Sequence, residues 1–118
     1  MKSCTVQKAL FQMENHLLKD DIRNNTEEIK KCIHKDFIEL TTSGNVYKYS
    51  KGDKFGPNIN KTFIVDDSFD VRRLSFNLYQ VIYKTNNIDG DIVNRSSIWK
   101  KHFSNWKIIF HQGTRVRL

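Results

Sequence analysis

The sequence predicts an α+β fold in which helices come first, a run of antiparallel strands follows, and the helices cover one face of the sheet. Three observations predict it. Apolar residues near the N-terminus recur at helical spacing, the pattern changes to strand-like alternation from Asp36 onward, and turn residues separate the later strands. The length of 118 residues predicts a single domain over 1–118, with residues 1–6 frayed.

Two helices are predicted in the first third of the chain. The first runs from Gln7 to Lys19 and buries one stripe of leucine and methionine. Polar residues 20–25 end it, and an asparagine there provides the N-cap of a second helix from Thr26 to His34. Cys32 lies on the apolar side of that helix, so we expect a small buried hydrophobe and not a reactive thiol.

Seven strands are predicted from alternation and turn signals. They cover residues 36–42, 46–49, 62–66, 69–75, 78–85, 95–103 and 106–113. Alternation directs one set of side chains toward the helices, with Tyr79, Val81 and Tyr83 on one strand and Trp106, Ile108, Phe110 and Gln112 on the last. The other face keeps an apolar stripe of its own, which predicts a partner subunit; it contains Leu78, Ile82, Ile98 and Ile109.

Composition excludes several classes of protein. Eight Phe, four Tyr and two Trp are too many for a disordered chain, and no apolar run approaches the roughly 18 residues of a membrane span. Residues 1–20 lack the apolar core of a secretory signal, so a cytoplasmic protein is expected. Two cysteines and four scattered histidines match no metal-ligand spacing, and no nucleotide-binding glycine motif occurs. We therefore expect no metal and no cofactor.

The formal charge of +7 raises the question of an anionic partner. The basic residues form short pairs that lie far apart along the chain, namely Lys30-Lys31, Arg72-Arg73 and Lys100-Lys101, and no block of like charge marks a tail. This pattern argues against nucleic acid and against a membrane as partners. A nucleic-acid or protein-interaction module stays open as a third hypothesis.

The C-terminal strings are similar to the end of nuclear transport factor 2-like proteins. They are Arg95-Ser96-Ser97-Ile98-Trp99-Lys100-Lys101 and Trp106-Lys107-Ile108-Ile109-Phe110-His111-Gln112-Gly113-Thr114. Further likeness lies in residues 14–18, Arg23, residues 34–39, Ser43-Gly44, Tyr47 and residues 69–75. The sequence resembles in particular a bacterial branch of unknown function close to the SnoaL-like polyketide cyclases. The resemblance implies a curved antiparallel sheet wrapped around the helices, a cavity at its open end and homodimers joined through their sheets.

Combined with this concave sheet, alternation predicts a ligand pocket. It contains Glu39, Tyr83, Arg95, Ser97, Trp99 and Gln112. Arg95 could hold a carboxylate or enolate through its planar fork, and a desolvated Glu39 could act as a general base. The same alternation turns His111 away from Gln112, toward the convex surface or the dimer contact. Arg72 and Arg73 must point to opposite faces, and the sequence does not say which of them reaches the pocket.

Two functions of this pocket remain open beside the interaction-module hypothesis. The leading one is binding of a small organic ligand with catalysis unproven. The alternative is an isomerase, cyclase or dehydratase with Glu39 as base and Arg95 or Tyr83 stabilising an oxyanion. Against both stands a structural interpretation, in which Glu39 and Arg95 neutralise each other as a buried pair inside a filled core.

Overall fold

The structure is a computed structural model that describes residues 2–116, with side chains from residue 5 to residue 116. It contains α1 (Lys2–His16), α2 (Asp20–Arg23), α3 (Thr26–Cys32), β1 (Ile33–Leu40), β2 (Val46–Lys48), β3 (Phe63–Ile64), β4 (Asp70–Ser75), β5 (Leu78–Asn86), β6 (Val93–His102) and β7 (Asn105–Arg115). The predicted α+β order is confirmed. None of the helices in this part of the chain has the length and apolar character to cross a membrane.

The helices differ from the prediction at their ends. α1 begins at Lys2 rather than Gln7, and the predicted polar break contains the short helix α2. Asn25 is the N-cap of α3, where its side chain accepts hydrogen bonds from two backbone N–H groups of the first turn. α3 ends at Cys32, which is buried as expected, and His34 lies in β1. The side chain of Cys4 is outside the described residues.

The sheet is mixed, which corrects the expectation that it is antiparallel throughout. Its order is β2-β1-β7-β6-β5-β3, with β4 also paired to β5. β1 and β7 run parallel, whereas the other pairs are antiparallel. Hairpin signals report only strands that are neighbours in sequence, and β1 and β7 come from opposite ends of the chain. The sheet is curved and open, and its inner face receives the helices.

A β-bulge in β7 decides which side chains face inward. Trp99 of β6 pairs with Ile108, but the preceding Ile98 pairs with Phe110, so Ile109 has no partner residue in the described strand β6. One extra residue reverses the alternation beyond it. Ile108 therefore faces the core, while Phe110 lies on the outer face, opposite to its predicted orientation.

The core lies between the inner face of the sheet and the helices. Trp99, Leu10 and Ile29 are completely buried in it. Burying such side chains stabilises the fold by about 1.5–3 kcal/mol each. The core fills the end of the curved sheet near the β6–β7 hairpin and leaves the other end hollow, and this hollow is the candidate site.

Candidate functional site

A cavity of about 530 Å³ lies between the inner face of the sheet, the α1–α2 region and the segment 54–62. Polar and apolar side chains share its wall. The polar ones include Glu14, Arg23, Glu39, Tyr47, Tyr83, Thr85, Arg95 and His111, and the apolar ones include Leu17, Leu18, Ile33, Phe37, Phe55 and Ile108. The volume and the mixture are those of a small-molecule site.

Arg95 enters the cavity from β6, opposite Gly113 of β7 and Tyr83 of β5. Its Nε donates to Thr85 Oγ1 at 2.8 Å, and its Nη1 lies 3.4 Å from Nε2 of His111. These contacts fix the plane of the guanidinium. Nη2 makes no hydrogen bond to a described residue and remains a donor for a ligand.

Glu39 enters from β1, between Tyr47 of β2 and His111 of β7. Across residues 2–116, no basic nitrogen lies within 4.0 Å of its carboxylate, so the structural ion pair with Arg95 does not form. The carboxylate also makes no hydrogen bond within this range. Burial raises the pKa of Glu39, and the positive charges of Arg95 and Arg23 oppose the rise.

His111 lines the cavity, and this placement corrects the sequence prediction. Because of the bulge at Ile109, His111 faces inward and Gln112 faces outward, pairing with Leu40 and Ser96 away from the cavity. Burial, followed by the charges of Arg95 and Arg23, lowers the pKa of His111 to about 3. The imidazole is therefore neutral.

The tautomer of His111 follows from its two neighbours. Arginine can only donate, so Nε2 of His111 accepts from Arg95, and Nδ1 carries the hydrogen. Nδ1 then donates to Ser97 Oγ at 2.6 Å. Ser97 is completely buried behind the cavity wall, where it positions the imidazole and does not contact a ligand.

Glu14 of α1 is the carboxylate that the sequence analysis missed as a site residue. It is 4% exposed, and its two oxygens accept from Tyr83 Oη at 2.5 Å and from Trp99 Nε1 at 2.8 Å. Burial raises the pKa of Glu14, while hydrogen bonds from Tyr83, Trp99 and Ser97 oppose the rise. The Tyr83 hydroxyl is occupied by Glu14, and burial beside that carboxylate raises the pKa of Tyr83 well above its usual value.

Arg23 joins the cavity from the end of α2. Its Nε donates to the Gly56 carbonyl at 2.5 Å and its Nη1 donates to the Leu17 carbonyl at 3.1 Å, while its guanidinium stacks on Phe55. These bonds hold the segment 54–62 against the helices. Burial lowers the pKa of Arg23, which nonetheless remains charged near neutral pH.

The predicted site residues thus fall into three groups. Glu39, Tyr83 and Arg95 line the cavity, Ser97 and Trp99 support it from behind, and Gln112 lies outside it. Arg72 and Arg73 are both exposed and neither reaches the cavity. In the part of the chain that the structure describes, no group of three His, Cys, Asp or Glu side chains could hold a metal ion.

The comparisons with solved structures agree on one architecture. An NTF2-like protein of Cytophaga hutchinsonii matches with a TM-score of 0.67 and 16% identity, over 92% of this chain and 97% of that chain. A protein of Caulobacter vibrioides with a cystatin-like fold gives 0.69 and 12%, over 99% and 92%. The association domain of C. elegans CaMKII gives 0.70 and 13%, over 96% and 98%.

The chain has the NTF2-like fold. No protein-family model and no curated protein sequence matches it. At identities this low the NTF2-like likeness concerns the fold alone, since one fold serves many functions. The predicted place near the SnoaL-like cyclases stays a prediction.

Proposed function

We propose that this protein binds a small organic acid in the cavity of its NTF2-like fold. The observation that carries the proposal is the pair of guanidinium groups, Arg95 and Arg23, that line a cavity of about 530 Å³. Among the described residues, neither has an acidic oxygen within 4.0 Å. A carboxylate can satisfy their remaining donors through charge-assisted hydrogen bonds.

Glu39 adds a second requirement for the ligand. Its carboxylate lines the same cavity and has no hydrogen-bond partner among the described residues, so it favours a ligand that also carries a hydroxyl or amino group. Aromatic and aliphatic walls, including Phe37, Phe55 and Ile108, suit an apolar body between these polar ends. A hydroxy acid or amino acid of modest size meets all three conditions.

The proposal is tested by mass spectrometry of small molecules retained on the purified protein, followed by thermal unfolding with a panel of organic acids and their neutral amides. Saturating acid at 100 times its Kd raises the free energy of unfolding by about 2.7 kcal/mol. We expect an acid to stabilise the protein against thermal unfolding and its amide not to do so. In Arg95→Gln the stabilisation by the acid should be lost. The matched control Arg115→Gln removes an exposed arginine of β7 and retains the effect. Equal stabilisation of Arg95→Gln would refute the proposal.

Catalysis is a second candidate, favoured by the unpaired carboxylate of Glu39. A carboxylate of raised pKa is suited to abstract a proton next to a carbonyl, and Arg95 is placed to stabilise the resulting oxyanion. Tyr83 is the poorer choice because it already donates to Glu14. Exchange of ligand hydrogen with solvent deuterium, lost in Glu39→Gln while binding persists, would distinguish an isomerase, cyclase or dehydratase from a binding protein.

We also infer that the outer face of the sheet meets the same face of a second copy. Its apolar side chains, such as Ile98 and its partner Phe110, are half-buried and uncovered by any described element. The association domain with the same fold supports self-association. The cytoplasmic location expected from the sequence remains a prediction.

A further inference from the structure

Two phenylalanines project from neighbouring hairpins at the end of the sheet away from the cavity. Phe76, in the β4–β5 turn, is 82% exposed, and Phe103, in the β6–β7 turn, is 88% exposed. The hairpins lie side by side because the N–H of Lys101 donates to the carbonyl of Asn77 at 2.8 Å. The β4–β5 turn and the β6–β7 turn are separated by two strand spacings, so their tips are roughly 10 Å apart.

The backbone of Phe103 is as unusual as its exposure. It is the first of two residues that connect β6 to β7, and its φ is 57°. Glycine is the ordinary residue at such a position, because a side chain there strains the backbone. A bulky apolar residue is thus held at the tip, outside the core, against the local conformational preference. Strain of this kind concentrates at functional positions.

The basic pairs are far apart in the sequence, but in the fold they lie close together around these tips. Lys100 of β6 pairs with Lys107 of β7, and Lys107 Nζ donates to the Lys30 carbonyl at 3.3 Å, which places Lys30-Lys31 beside them. Arg73 donates to carbonyls of the β4–β5 turn, including that of Phe76. This basic end is the region formed by the three pairs, Lys107 and the two tips.

The strands β5, β6 and β7, which lead to or from the two tips, contain no aspartate or glutamate. Glu28 is already bonded to Lys31, and Asp36 lies beside His34. Half-buried aromatic rings lie just inside the tips, where Tyr79 and Trp106 pack edge to face at 5.4 Å. Cations stack on both of these rings, Arg73 on Tyr79 and Lys101 on Trp106.

We propose that the basic end docks on an anionic lipid bilayer, with Phe76 and Phe103 inserted among the lipids and the basic pairs against the headgroups. The basic pairs are complementary in charge to an anionic surface. Apolar side chains at protruding tips fit a surface that also has an apolar interior. Tyr79 and Trp106 are amphipathic and suit the interface between the charged headgroups and the apolar interior of the bilayer. A single-stranded nucleic acid would instead require aromatic rings along a groove, where bases can stack.

This docking leaves the cavity open to solvent. Arg95 and His111, which line the cavity, lie toward the ends of β6 and β7 that are far from the Phe103 turn. The bilayer proposal therefore does not depend on what the cavity binds. The sequence alone argues against a membrane, because the basic pairs lie far apart along the chain.

The proposal is tested by flotation of the full chain with vesicles of phosphatidylcholine mixed with phosphatidylserine, against vesicles of phosphatidylcholine alone. We expect binding to the mixed vesicles only, weakened by salt. The double variant Phe76→Ser/Phe103→Ser should bind at least about tenfold more weakly. Its matched control, Ile88→Ser, removes an exposed apolar side chain near the cavity segment and should bind as the parent does.

Charge is tested by a second matched pair of variants. Lys100→Gln/Lys101→Gln and Lys48→Gln/Lys51→Gln each remove two charges, and only the first should weaken vesicle binding. Circular dichroism checks that each variant is folded. The proposal is overturned if the double phenylalanine variant binds vesicles normally, if both lysine variants lose binding equally, or if a single-stranded oligonucleotide displaces the protein from vesicles. It is also overturned if the phenylalanine variant instead changes the oligomeric mass.

Discussion

At position 14 a carboxylate occupies the apolar stripe of α1, between Leu10 and Leu17. Sequence patterning treats Glu14 as an interruption of that stripe, although its spacing from both leucines places it on the buried face. Tyr83 and Trp99 supply the donors that make its burial possible. The buried face of α1 could thus be predicted from sequence, but the two donors could not, because they come from distant strands.

His111 makes the stability of the protein depend on pH. Its pKa is about 3 in the folded state, held down by burial and then by Arg95 and Arg23, and 6.5 when unfolded. Between these values the unfolded chain binds the extra proton, so stability is complete above pH 6.5 and falls as the pH drops toward 3. Each unit of pKa difference corresponds to about 1.4 kcal/mol.

We expect the substitution His111→Gln to remove most of this pH dependence of the free energy of unfolding, measured from urea unfolding curves between pH 7 and pH 4. The exposed His102 supplies the control, since His102→Gln should keep the parental slope. Glu14 and Glu39 contribute with the opposite sign, because a raised pKa makes stability fall as the pH rises above 4.5. The difference in the free energy of unfolding between the parent and His111→Gln at each pH gives the contribution of His111. Parallel curves for His111→Gln and the parent would contradict the assignment.

At the scale of elements, β7 shows where alternation succeeds and where it fails. Strict period two predicts Trp106 and Ile108 correctly, and it assigns His111 and Gln112 to the wrong faces. The cause is the unpaired Ile109, since a bulge moves every later side chain to the other face. The sequence carries no signal for this bulge, as neither glycine nor proline marks the position.

Beyond the bulge, the pairing of β6 with β7 brings Gly113 against Arg95. A Cβ at position 113 would lie 2.9 Å from Thr42 Cγ2 and 3.0 Å from Arg95 Nη1. We expect Gly113→Ala to lower the free energy of unfolding by about 1–3 kcal/mol and to weaken acid binding by displacing the guanidinium. Gly56→Ala is the control for unfolding, because a Cβ there meets nothing within 4 Å. Unchanged melting and unchanged acid binding in Gly113→Ala would show that Arg95 is not held against this glycine.

At the scale of the whole molecule, the order of elements and the division of the sheet into two faces follow from the sequence. The parallel pairing of β1 with β7 does not, because it joins strands from opposite ends of the chain without a hairpin. The clustering of the basic pairs at one end is likewise a property of the fold. Local patterns predict elements, and the contacts between distant elements decide the site.

Self-association is the prediction that belongs to this scale. Ile98 lies near the middle of the outer face, so Ile98→Lys places a charge where the second copy is expected and should give the mass of one chain. Ile88→Lys, in an exposed loop, should keep the mass of two chains. Light scattering after size exclusion measures both. A parent protein with the mass of one chain, or an Ile98→Lys variant with that of two, would contradict a sheet-to-sheet dimer.

The most direct measurement is a crystal structure of the protein grown with the organic acid that stabilises it most. We expect electron density for the acid inside the cavity, with its carboxylate within hydrogen-bonding distance of Arg95 and its hydroxyl or amino group near Glu39. A cavity that contains solvent alone, with Arg95 and Glu39 closed onto each other as an ion pair, would contradict it.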